Sequence, residues 1–126
     1  MVNGGVITSN GKNLMWSRQY TNTNTIASTF SIGTGTNTPT SADTALQTPI
    51  LTGIAFLGGF PIFDTANNKV TTEGYISPAQ GNGNILSEVG EFNTDGTPVM
   101  LSRDVFTGVT KTSSIELIII WTHQII

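Results

Sequence analysis

The sequence predicts an all-β domain: a single antiparallel β-sandwich, jelly-roll or immunoglobulin-like, with one short helix near the N-terminus. Three observations predict it. Charged residues make up 10% of the chain, against roughly 25% in an ordinary globular domain, so the solvent faces of a helical bundle cannot be built. Thr, Asn, Ser and 14 Gly fill the gap, and these favour strands and turns. Short apolar-alternating runs also recur between Gly, Pro and Asn clusters, roughly seven strands in all. At 126 residues, without internal repeat or shift in composition, the chain reads as one domain over 1–126.

Residues 4–8 suit a short strand. Ser9 and Asn10 can cap a helix from about Gly11 to Arg18 carrying Leu14, Met15 and Trp16. The Tyr20–Thr25 stretch has nothing to bury and reads as an exposed loop. Thr25–Ile32 aligns Ile26, Ser28, Phe30 and Ile32 on one face of a strand. Gly33–Pro49 is a long ordered loop with one helical turn near Ala42–Leu46, and Pro39 and Pro49 exclude a central strand. Gly53, Gly58, Gly59 and Pro61 break the apolar Ile50–Phe63 stretch into two short strands or one bulged strand. Asp64–Asn68 is a turn and Lys69–Ile76 a strand, with a Pro- and Gly-rich loop over Ser77–Asn84.

Ile85–Phe92 and Val99–Phe106 are expected to pair antiparallel across Asn93–Thr97, with Asp95-Gly96 supplying a positive φ. Thr107–Thr110 reads as a turn. Ser114–Trp121 is the last strand: Ile115, Leu117, Ile119 and Trp121 share one face, and Ile118 and Ile120 the other. Apolar residues on both faces suggest a central strand or a protein contact.

Composition also excludes function classes. Five basic residues and a net charge of -3 leave no cluster to neutralise phosphates, so no nucleic acid is expected. No apolar run reaches 18 residues, so no membrane helix is expected, and Met1-Val-Asn-Gly-Gly5 does not read as a signal peptide. Without Cys there is no thiolate chemistry. The single His123 reads as a surface residue, and no Gly-x-Ser-x-Gly nucleophile elbow is present. Gly33-Thr-Gly35 lacks the third glycine of a nucleotide loop, and Asn93–Gly96 lacks the alternating acids of a calcium loop. Glu88 and Glu91 point to opposite faces of one strand, which rules out a glycosidase pair there; they read as solvated edges. Arg103 and Asp104 read as cross-strand ion pairing or interface polarity. The aromatics Trp16, Trp121, Phe30, Phe56, Phe60, Phe63, Phe92 and Phe106 read as core, while Tyr20 and Tyr75 suit exposed contact. No catalytic residue, metal or cofactor is expected.

Three stretches carry a family resemblance. Gly5-Val-Ile-Thr-Ser-Asn-Gly-Lys-Asn-Leu14 resembles the Ile-Thr-Asn-x-Gly-x-x-x-Leu opening of small tailed-bacteriophage virion proteins. Ile32-Gly-Thr-Gly-Thr-Asn-Thr-Pro-Thr-Ser-Ala-Asp-Thr-Ala-Leu46 resembles their Val-Gly-Thr-Gly…Pro…Asp-Thr-Ala-Leu loop. Ile85–Thr97, Leu101–Phe106 and Thr110–Leu117 resemble their Ile-x-Glu-x-Gly-Leu-Phe-Asn-x-Asp-Gly hairpin and final strand. Glu91 departs from the pattern, standing where an apolar residue is usual, and the sugar-binding-like insertions of some relatives are missing between Ile50 and Gly81.

The resemblance implies a non-enzymatic structural protein of the virion, in tail, neck, fibre attachment or capsid decoration, with other virion proteins as partners. Low charge and apolar Ile118, Ile120, Ile125 and Ile126 suit burial against other subunits, in a homo-oligomer or at a docking site. Candidate subunit contacts are Thr36, Thr38, Thr40, Glu91, Ile118, Ile120, Ile125 and Ile126. The alternative reading is a carbohydrate-binding module recognising a host glycan, which needs exposed aromatics beside Asp, Asn or Arg. An enzyme would need two carboxylates, or His123 and an acid, converging in a cleft.

Overall fold

A computed structural model describes residues 2–3, 5–20 and 25–124. Ile125 and Ile126, two of the candidate contacts, lie outside the described residues. The elements are β1 (Val2–Asn3), β2 (Val6–Ile7), α1 (Ser9–Tyr20), β3 (Ala27–Gly33), β4 (Pro49–Ala55), β5 (Ile62–Asp64), β6 (Lys69–Ile76), β7 (Ile85–Asn93), β8 (Met100–Thr110) and β9 (Leu117–Gln124). Among the described residues they form an all-β fold with a single short helix, as the composition predicts. One sheet has the order β1-β9-β6-β5 and the other β2-β8-β7-β3-β4. Every pairing is antiparallel except β1 with β9.

Apolar side chains from both sheets share one core. Phe30, Ile32, Leu86 and Val89 come from the five-stranded sheet, and Ile76, Ile119 and Trp121 from the four-stranded one. The rings of Phe30 and Trp121 stack across the gap at 6.4 Å. Gly74 of β6 makes this approach possible, since a Cβ there would sit 2.5 Å from the Phe30 ring. Burying such side chains contributes about 1.5–3 kcal/mol each, which is why the alternation in β3 and β9 was readable in advance. Pro49 opens an edge strand, where its missing N–H leaves no ladder bond unmade.

The helix starts earlier than expected, and its cap is neither Ser9 nor Asn10. Thr8 is fully buried; its Oγ1 accepts the Gly11 N–H at 2.9 Å and donates to the Met100 carbonyl at 2.7 Å. The Ser9 N–H, an orphan at the helix start, donates to the Ser41 carbonyl. Replacing Thr8 by Val removes both bonds of one hydroxyl and is expected to lower stability by about 1–2 kcal/mol, read as a shifted urea midpoint at unchanged slope.

Other departures have local causes. The hairpin of β7 and β8 forms as expected, yet Gly96 does not adopt positive φ. The connection is longer, 94–99, because Asn93 organises it: its Oδ1 accepts the Val99 N–H, and its Nδ2 donates to Asp95. Thr107–Thr110 continues β8 instead of turning, with Gly108 making room for Ile85. Residues 42–46 form no helical turn; the Asp43 carboxylate, which accepts the Thr40 N–H and hydroxyl and pairs with Arg103, shapes the segment instead.

Candidate functional site

Four charged side chains leave the surface altogether. Glu88, Glu91, Arg103 and Lys111 are each at most 1% exposed, so the expectation of solvated strand edges fails for both glutamates. The two do face opposite sides of β7, as their spacing requires.

Glu88 points away from the core, into the loop over 34–48. Its carboxylate accepts the N–H groups of Gly35 (3.0 Å), Gln47 (2.9 Å) and Thr48 (2.7 Å), and Nε and Nη2 of Arg103 (3.1 and 2.8 Å). Arg103, on the neighbouring strand β8, spends its remaining donors on Asp43 at 2.9 Å and on the carbonyl and side chain of Asn37. All five guanidinium N–H groups are thus matched. The ion-pair reading of Arg103 holds, and the long loop is ordered by this clasp. It packs on its own domain mainly through backbone amides, leaving Thr36, Thr38 and Thr40 exposed.

Burial alone would raise the Glu88 pKa, but three backbone donors and Arg103 outweigh it and hold the carboxyl below the ordinary range. Asp43 is likewise lowered: burial opposes, and bonds from Thr40 and Arg103 prevail. A folded-state pKa below the unfolded value means stability present above the unfolded pKa and lost as pH falls through the folded one. Urea midpoints are therefore expected to be flat from neutral pH to about 5 and to fall progressively below about 4.5. A midpoint that stays flat to pH 3 would contradict the clasp.

Lys111 closes the opposite end of β8. Its ammonium donates to the carbonyls of Thr112 (3.0 Å) and Pro78 (3.4 Å) and to Asn82 Oδ1 (3.1 Å), which ties down the Pro- and Gly-rich loop.

Glu91 faces inward and bridges the two sheets. Oε1 accepts the Thr72 hydroxyl of β6 at 2.6 Å; Oε2 accepts the Ser102 hydroxyl of β8 at 3.1 Å and meets Nε2 of His123 on β9. A carboxylate this enclosed cannot touch a neighbouring subunit, so Glu91 is withdrawn as a contact residue. Its departure from the apolar pattern has an internal cause, since it is matched by Thr72, Ser102 and His123.

His123 is half-buried, not a surface residue, and it meets an acid beside a cleft. It does not complete a catalytic triad: Ser102 is fully buried, and its Oγ lies 3.5 Å from the same nitrogen that faces Glu91. No free base therefore points at the hydroxyl. Among the described residues no group of three His, Asp or Glu is placed to hold a metal ion.

The cleft beside His123 is a groove of about 890 Å³ at the open end of the two sheets. Ile7, Met15, Phe63, Val70 and Leu101 form its apolar walls, and Asp64, Asn68, Lys69 and Gln124 line its lip. Phe63, expected in the core, is 70% exposed here, because it sits on a three-residue edge strand at the mouth of the groove. Sequence reasoning missed this site. Its residues come from six separate elements, and the single signal, apolar Met15 and Phe63 beside polar runs, reads equally well as core. No family model, curated protein or solved structure matches the chain.

Proposed function

We propose that the chain is a non-enzymatic structural component of a tailed-phage particle, a β subunit on the virion exterior that acts through protein–protein contacts. The observation supporting it is the inversion of polarity. Four charged side chains are consumed inside, while Ile118 (55% exposed), Ile62 (53%), Ile85 (59%) and Tyr75 (38%) face outward. Ile62, Tyr75 and Ile118 lie on neighbouring strands of one sheet, with Tyr75 and Ile118 register partners. These apolar side chains, set among Glu73 and the paired hydroxyls of Thr71 and Thr122, suit burial against another subunit. Ile118, Ile120, Thr36, Thr38 and Thr40 are the contact residues of this reading. Mass spectrometry of purified particles from the genome that encodes the chain tests it. Presence at fixed copy number supports the reading, and absence from washed particles refutes it.

A second reading, a carbohydrate-binding module for a host surface, is favoured by one observation. Phe63 is exposed beside Asp64 and Asn68 on the lip of the groove, an aromatic next to polar side chains. Saturable binding of the purified chain on a glycan array would establish it.

A further inference from the structure

We propose that the groove between the open ends of the sheets binds a small neutral amphiphile, an alkyl-substituted alcohol or phenol, whose hydroxyl donates to Nδ1 of His123. The proposal does not depend on the virion reading. Nε2 of His123 is taken by Glu91, whereas Nδ1 makes no hydrogen bond among the described residues. Trp121 Nε1 is the one buried side-chain polar atom there without a partner, so Nδ1 is reached from solvent. The solvent space beside His123 is the groove.

With Nε2–H given to a carboxylate, a neutral imidazole presents Nδ1 as an acceptor. The acceptor is held in place: Thr72 and Ser102 fix the Glu91 carboxylate, and the Trp121 ring stacks on the imidazole at 5.3 Å. Around this single polar atom the walls are apolar, Ile7, Met15, Phe63, Val70 and Leu101, and the volume is that of a small-molecule site. The lip favours no charge, because Lys69 and Asp64 are register partners that offset each other. A ligand carboxylate would also approach the Glu91 charge. The match is one hydroxyl donor on an apolar body.

The test is an NMR titration of the full chain with 4-ethylphenol and, separately, 4-ethyltoluene, following the His123 ring nitrogens and the Met15 methyl. The expected result is saturable shifts at both residues, with the phenol bound about fivefold more tightly, the worth of one neutral hydrogen bond. His123→Phe is expected to erase that preference. Phe63→Ser, at an exposed site that folding does not need, is expected to weaken both probes. Equal affinities in the unaltered chain, or no saturable shift, would overturn the proposal. So would displacement of the phenol by a methyl glycoside that itself binds more tightly, or closure of the groove by a second copy in sedimentation.

Discussion

Replacing Arg103 by Leu is expected to lower stability by about 3–5 kcal/mol, as removal of one partner of a buried ion pair does. That is a large share of the roughly 5–15 kcal/mol that holds such a domain together. The cause is not lost attraction alone. Glu88 is fully buried and would keep its charge against three backbone donors with no cation to offset it, while Asp43 and Asn37 would lose the donors that hold the outer part of the loop. Urea denaturation gives the magnitude. Hydrogen exchange gives the location, with the amides of Gly35, Gln47 and Thr48 losing protection first. A change below about 1 kcal/mol, with those amides still protected, would show that the loop orders itself without the clasp.

Trp121→Ala is the second large effect, at about 3–5 kcal/mol. The indole is fully buried, stacked on Phe30 of the opposite sheet and on His123 of its own strand. Its removal opens a cavity where the two sheets meet, so one cooperative transition is expected at a lower midpoint. Two separate transitions would mean that the sheets do not share a core.

The legible part of this fold was local. Ile32 and Phe30 in β3, and Ile119 and Trp121 in β9, announce their faces by period-two alternation, and burial follows because each sheet hides one face. The hairpin of β7 and β8 was readable from two alternating runs around a turn, although Asn93 rather than Gly96 shapes that turn. The polar interior was not legible. Glu88 and Arg103 are fifteen residues apart, and Asp43 reaches them from a loop sixty residues from Arg103; spacing along one strand carries no trace of such pairing. A sparse set of charges reads as sparse solvation when pairing is invisible, so Glu88, Glu91 and His123 were placed outside. Glu91 had one visible signal, an acid where the resembling sequences carry an apolar residue. Its physical meaning, a carboxylate between sheets matched by Thr72, Ser102 and His123, depended on the register of three other strands.

The proposed role, a particle subunit that makes its contacts through Ile118 and its neighbours, is tested most directly by sedimentation. Particles lacking the chain would be mixed with the purified protein and pelleted, once with the unaltered chain and once with Ile118→Lys, whose site is exposed and free of core packing. The account predicts that the unaltered chain pellets with the particles and that the lysine variant, equally folded, remains in the supernatant. An unaltered chain that stays behind as a soluble monomer would contradict it.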